Sequence, residues 1–474
     1  MKNTAFQRVV AIAALALAGA AAARAATNAL TIIQTTDIHT SANLARLATH
    51  IVRARAANPD ILLVDCGDLT CGSFEALVDD GAAEMATVNK LRYDAWIPGN
   101  HEFRGGQDHL RHVLGLFRSG DILAANLSFE KSRRPRCKII PWKIYRKSGL
   151  RVAVIGLVSP SHERWYGGGL FEGIETRSAA QALEEVMPAV REAKPDIVVV
   201  AAHMGAYSDS GSTNETLATL PALVASYPDI TLLLAGHTHQ VIQQRAISET
   251  CWMFQPPTHA NAASRIIVGF DTARREVVSV TNVFLYARDA EPWPDMPKEW
   301  KRRPEAAKAA GAEVVAVLPE GVELRPPKEP GGVNPLRAFC ARAMAEATGA
   351  DAALAEIGRK AALPKGAITR LALYNFATHE NYLSVITVSP DQLRRIVDEQ
   401  KAKGCPLVPY GLDYDNLPDH PVKLALGAYA ASGSDSFYLV LREIANSGEV
   451  ARVDTGIAMR DCVGALLNRL YPPP

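Results

Sequence analysis

Apolar runs in the first 240 residues of this chain end in side chains that can hold a cation. ALTIIQTTDIH closes on Asp37 and His39, PDILLVDCGD on Asp68, and YDAWIPGNHE on Asn100 and His101. PDIVVVAAHMG carries His203, and DITLLLAGHTH carries His237 and His239. Each alone has a plain explanation: GHTH by itself is more often a polar turn than a ligand pair, and a single histidine is more often packed in a core. Five run ends that all bear carboxylate, amide or imidazole groups outweigh those explanations. In α/β sheets, ligands bind in the crevice beyond the carboxyl ends of the strands, so the five ends would meet there. Nitrogen and oxygen donors without thiolates suit Zn, Mn, Fe or a similar divalent ion. That many donors suggest two ions, and a carboxylate can bridge a pair roughly 3.5–4 Å apart. Such a pair clamps the attacking and leaving oxygens of a phosphoryl displacement and lowers the pKa of bound water toward neutrality.

The elements that must position these groups follow from periodicity. The runs are short, rich in Ile, Val and Leu, and often closed by Gly or Pro, as buried strands are. Between them lie amphipathic helices. Leu44, Leu47 and Ile51 share one face of NLARLATHIVRARA, as do Leu183, Val186, Met187 and Val190 of QALEEVMPAVREA, where Pro188 argues for a kink. Alternating strands and helices indicate a layered α/β domain, with RIIVGFD and EVVSVTNVFLYA as an antiparallel pair closing it. Beyond residue 288 proline and charge increase, and 289–314 reads as a linker with a short helix near Pro304–Ala310. A second domain, 315–474, should hold a helix at NPLRAFCARAMAEATGA and a strand at NYLSVITVS. A helix capped by Ser389 and Gln392 should follow, then two strands in VKLALGAYAASGSDSFYLV.

Residues 1–25 read as a signal peptide: Lys2 and Arg8, a short alanine-rich apolar stretch, and ARA at 23–25 before the first mature residues, 26–288 being the first domain. The apolar stretch is short for a membrane span and no cysteine follows it, so a periplasmic or secreted chain without a stable membrane anchor is expected. The net charge of +1 gives no sign of a nucleic-acid partner, and the basic stretch KSRRPRCK reads as a solvated loop. Seven cysteines leave at least one thiol outside any intramolecular pairing; Cys66 and Cys71, flanking Asp68, read equally as a disulfide or as two buried thiols.

The order D-x-H, G-D, G-N-H-E, H, G-H-x-H resembles that of the calcineurin-like metallophosphoesterase superfamily, and the length, leader and second domain resemble its 5'-nucleotidase family. The resemblance implies a four-layer α/β/β/α metallophosphoesterase domain followed by a smaller α/β domain that binds the nucleoside. It implies one metal on Asp37, His39 and His239, a second on Asn100, His203 and His237, Asp68 bridging, and His101 beside the phosphoryl group. It further implies an exported hydrolase of nucleoside 5'-monophosphates or related nucleotides. Two departures stand out: GNHEFRGG places Arg104 where the family has an aspartate orienting the catalytic histidine, and DIHT replaces DxHG. Asp108 could substitute for that aspartate, and Arg104 could meet an anionic substrate. In the second domain AEIGRK corresponds to NGGxR, making Arg359 a phosphate or carboxylate contact and placing Glu356 where asparagine is usual. AYAASGSDSF corresponds to the aromatic motif, giving Tyr429 as a stacking ring and Asp435 as a polar contact beside it. The other stacking position falls on Leu383 or Tyr382. Because that pocket departs from the family, the same site could serve a cyclic phosphodiester, a UDP-sugar or a sulfate thioester. A metal-binding protein with reduced turnover is a third reading, carried by Arg104 alone.

Overall fold

The computed structural model describes residues 27–474 except 205–219, 327–333, 359, 379–380, 405–406 and 436. The leader expected at 1–25, Arg359 and Cys405 lie outside the described residues. Two sheets face each other in the first part of the chain. One has seven strands in the order 276–286, 262–271, 27–35, 62–65, 95–96, 121–123, 139–140; the other has six, ordered 242–246, 252–255, 232–234, 197–202, 150–157, 142–147. Their central strands are parallel. Thr27–Thr35 also pairs antiparallel with Ala262–Asp271, which forms an antiparallel hairpin with Glu276–Tyr286.

Period-two patterning builds the sandwich. On the second sheet Val152, Val154, Val199 and Leu234 join the core shared with the first sheet. Their neighbours Ala153, Ile155, Val198 and Leu233 pack instead with Leu183, Val186, Met187 and Val190 of the helix Ala179–Glu192. That helix runs through Pro188. Leu44, Leu47 and Ile51 bury one face of the helix Leu44–Ala57 as the spacing requires. The layers are therefore helix, sheet, sheet, helix.

The C-terminal half has a five-stranded sheet ordered 408–410, 352–355, 422–427, 382–388, 452–458. One core involves Pro335–Thr348 and Met459–Leu470, the other Pro390–Ala402 and Leu439–Ser447. Ser389 and Gln392 form the expected capping box. Two expectations change. VKLALGAYAASGSDSFYLV has one strand, Val422–Gly427, followed by the helices Ala428–Ala431 and Leu439–Ser447. Its second apolar cluster buries Leu441 and Ile444, three residues apart, which is a helical rather than a strand period. The short helix near Pro304 is longer, Lys298–Gly311, with Pro304 inside it. Proline removes one amide donor, but Arg303 beside it is buried and ion-paired to Asp79 (2.8 Å) and Glu84, locking the helix onto the first half of the chain. Among the described residues no helix is long and apolar enough to cross a membrane.

Candidate active site

Asp37, Asp68 and Asn100 follow the strands Thr27–Thr35, Leu62–Asp65 and Ala95–Trp96 of one sheet; His203 and His237 follow Ile197–Ala202 and Leu232–Leu234 of the other. The site therefore lies where the carboxyl ends of two facing sheets meet, rather than at the edge of one sheet. Close approach of the loops dictates glycine at two points. A Cβ on Gly67 would stand 2.6 Å from both Gly99 N and His203 Nδ1, and one on Gly99 would be 2.2 Å from Asp68 Oδ1. Asp37, His39, Asp68, His237 and His239 all take positive φ, between 48° and 73°. Left-handed backbone in non-glycine residues costs about 1 kcal/mol or more each and clusters at functional sites. Glu102, absent from the sequence-derived set, holds these loops. Its buried carboxylate accepts from the amides of Gly99 (2.7 Å), Asp68 (3.0 Å), Leu69 (2.9 Å) and Thr70 (3.0 Å).

Two donor sets converge: Asp37, His39 and His239, and Asp68, His203 and His237. In the first, His39 Nε2 lies 2.9 Å from His239 Nε2, and Asp37 Oδ1 is 3.3 Å from His239 Nε2. In the second, His203 Nδ1 donates to Cys66 O at 2.6 Å, which turns its Nε2 toward Asp68 Oδ2 and Asn100 Oδ1, each 3.1 Å away. Asn100 Oδ1 is also 2.8 Å from His237 Nδ1. Asp68 Oδ2 stands between the sets, 4.0 Å from His39 Nε2. Lone-pair nitrogens and carboxylate or amide oxygens thus point inward with little but protons to separate them, and this donor chemistry fits divalent cations.

Burial and neighbouring charge act on these rings in opposite directions. Burial pushes His39 down to about 4 against the pull of Asp68 and Asp37, and pushes His237 down to about 3, aided by His203; both rings are neutral with a nitrogen lone pair available. Burial also opposes charge on His203, but Asp68 and Asp37 outweigh it and raise His203 to about 10. Burial opposes ionisation of Asp68 as well, yet His203 and His101 hold it well below the usual carboxylate range.

His101 donates its amide to Asp68 Oδ1 at 2.9 Å, and its ring opens into a cavity of about 350 Å³. Trp165, His237, Glu356, Leu383 and Tyr429 line the same cavity. Trp165, missed in the sequence, stacks on His237 (ring centroids 5.3 Å, planes 9° apart) and lies 6.4 Å from the ring of Tyr429. His259 was also missed. Its ring is 5.1 Å from that of His39, and its amide donates to Asp37 O at 2.7 Å. Other residues go elsewhere. Leu383 lines the cavity, whereas Tyr382 lines a second one of about 490 Å³ together with Arg104, Arg370 and Arg460. Arg104 is buried and its Nε donates to His109 Nε2 at 3.4 Å. Asp435 accepts from the amide of Phe437 at 2.8 Å, and Asp108 is exposed and paired with Arg111.

The calcineurin-like phosphoesterase family profile matches residues 30–241, and that of the 5'-nucleotidase C-terminal domain matches 314–423. The chain is a calcineurin-like phosphoesterase domain joined to a 5'-nucleotidase C-terminal domain. Protein UshA of Yersinia enterocolitica is 30% identical to this chain over 191 residues, 40% of this chain and 34% of that one. The 5'-nucleotidase of Vibrio cholerae is 27% identical over 195 residues, again 40% and 34%. The matched stretch thus spans about a third of these relatives. A Staphylococcus aureus structure assigned as a 5'-nucleotidase and solved with alpha-ketoglutarate shares the fold, with a TM-score of 0.75 at 18% identity over 94% of this chain and 97% of that one.

Proposed function

We propose that this chain is an exported, metal-dependent phosphoester hydrolase that releases phosphate from nucleoside 5'-monophosphates or related nucleotides. The observation that carries this reading is the pair of converging donor sets opening, through His101, into a cavity walled by Trp165 and Tyr429. Asp37, His39 and His239 would hold one divalent ion and Asn100, His203 and His237 the other, with Asp68 available to both. When bound, the two ions supply Lewis acidity that activates a water and neutralises phosphoryl charge. His203 is oriented by its bond to Cys66 O, and Asp68 by the His101 amide. The His101 ring, 3.9 Å from Asp68 Oδ2, is held at the cavity mouth to protonate the departing oxygen. Tyr429 and Trp165 bind the leaving group, whereas Arg104, turned to His109, falls outside the reacting set.

The test is turnover by purified protein on AMP, a UDP-sugar and bis-p-nitrophenyl phosphate, with Mn²⁺ and after chelation. Mn²⁺-dependent phosphate release, fastest from AMP, is expected; no turnover on any of them would overturn the reading. Leu383 in the cavity wall and Asp435 turned to a backbone amide favour a second ester on the same site, a cyclic phosphodiester or a sulfate thioester. The same panel with those substrates added separates the two.

A further inference from the structure

Behind the first donor set lies a sulfur atom that the proposed reaction does not use. Cys71 is buried, belongs to no disulfide, and its Sγ stands 3.2 Å from His39 Nδ1. Gly72 keeps it there: at φ +101° the turn tucks under His39 so tightly that a Cβ would come 2.8 Å from His39 O. On the other side His101 faces His39 edge-on, ring centroids 5.4 Å apart. One donor atom each from His39, Cys71 and His101 falls within a 4.8 Å span. Ligands on a tetrahedral zinc-like ion are separated by roughly 3.5 Å, given bonds of about 2.0–2.3 Å, so contraction by about an ångström closes the set.

We propose that Cys71, His39 and His101 form an inhibitory site for a soft divalent cation, a Zn²⁺ ion in excess or Cd²⁺. It rests on the reading above in one respect, that His39 serves the first ion and His101 the leaving group. A thiolate beside two imidazoles selects thiophilic ions, whereas the proposed pair of sites, with nitrogen and oxygen donors and no sulfur, also accepts harder ones such as Mn²⁺. Binding is ligand exchange without redox change. The Cys71 thiol gives its proton to solvent, the sulfur and two ring nitrogens bond to the ion, and water fills the fourth position. His39 keeps its N–H and must turn its ring so that its one lone pair meets the new ion, which takes that lone pair from the first ion, and His101 is drawn off the departing oxygen. The ion enters by the cavity that His101 lines.

The experiment is a Cd²⁺ titration of the Mn²⁺-loaded full chain, read both by the ultraviolet thiolate-to-cadmium charge-transfer band and by hydrolysis. One thiolate band per chain should grow in step with inhibition. Cys71→Ser should lose the band, retain Mn²⁺-supported activity, and need about tenfold more Cd²⁺ for the same inhibition; Cys137→Ser should behave as wild type. Inhibition without a thiolate band, or a Cys71→Ser protein as sensitive as wild type, overturns the proposal. X-ray absorption on wild-type protein carrying one Cd²⁺ gives an answer that does not depend on the variant folding: one sulfur neighbour supports the site and a shell of nitrogen and oxygen alone refutes it. The spectroscopic arms decide even if the chain hydrolyses none of the substrates above, so failure of this site and failure of the functional reading are distinguishable.

Discussion

Asp68 serves two purposes that substitution can separate. One oxygen accepts from the His101 amide at 2.9 Å; the other lies 3.1 Å from His203 and 4.0 Å from His39. Asp68→Asn keeps an oxygen for the amide, so the loop should hold, but it removes the negative charge that both donor sets share. The expected loss is about 100-fold or more in kcat/KM for AMP, with lower metal content by atomic absorption and an unchanged circular dichroism spectrum. Undiminished turnover with a full metal complement would remove Asp68 from the proposed site. At this scale the sequence was most readable where chemistry and strand ends coincide. Asp37, His39, Asp68, Asn100, His203, His237 and His239 each stand at or just beyond a buried strand, so motif and periodicity point to the same atoms. Trp165, His259 and Glu102 carry no such mark. Trp165 sits in a five-residue helix, His259 in a turn beyond GHTH, and Glu102 acts through backbone amides whose positions only the folded loops reveal.

Two elements outside the donor sets help to position the site. The helix Lys298–Gly311 is held by Arg303, buried against Glu84 and Asp79. Removing one partner of a buried ion pair leaves an uncompensated charge and costs about 3–5 kcal/mol. Arg303→Met should therefore lower the urea midpoint by that equivalent, and adding Glu84→Met should restore part of it; equal stability of wild type and single variant would count against the pairing. The helix His162–Tyr166, which carries Trp165, is anchored by His162. That ring is fully buried, stacks on Phe103 with centroids 4.0 Å apart, and Nδ1 donates to Ser159 O at 3.2 Å. Burial depresses His162 to about 4. Between about pH 6.5 and 4 the unfolded chain therefore binds a proton that the folded chain refuses, so stability falls on acidification through that window, by up to about 3 kcal/mol from this group. His162→Leu should show a shallower loss of melting temperature from pH 6.5 to 4.5 than wild type; parallel curves would exclude His162 as a source. The sequence underread both elements for a physical reason. Proline and charge look like a linker until a buried partner such as Glu84 compensates them, and a five-residue helix is too short for periodicity to register.

At the scale of the whole molecule the cavity belongs to neither half alone. Helix His162–Tyr166 brings Trp165 from the phosphoesterase side, helix Ala428–Ala431 brings Tyr429 from the nucleotidase side, and the rings lie 6.4 Å apart with planes at 53°. A planar base stacked on both needs about 7 Å between them, so a small separation and rotation admits it. From the chain alone Tyr429 was one stacking ring and the second position fell on Leu383 or Tyr382, of which Leu383 lines this cavity and Tyr382 the other. The structure supplies a second ring from the other half, an arrangement that sequence order cannot express. On the proposed function, the leaving group would be gripped across the junction. Base–aromatic stacking is worth about 1–3 kcal/mol, so Trp165→Leu and Tyr429→Leu should each raise KM for AMP by about 5-fold or more. KM for ribose 5-phosphate, which has no base to stack, should stay near its wild-type value, and kcat should change little because neither ring belongs to the proposed donor sets. If both substrates lose equally, Trp165 acts only by propping His237, on which it lies at 5.3 Å, and the cross-domain grip is wrong.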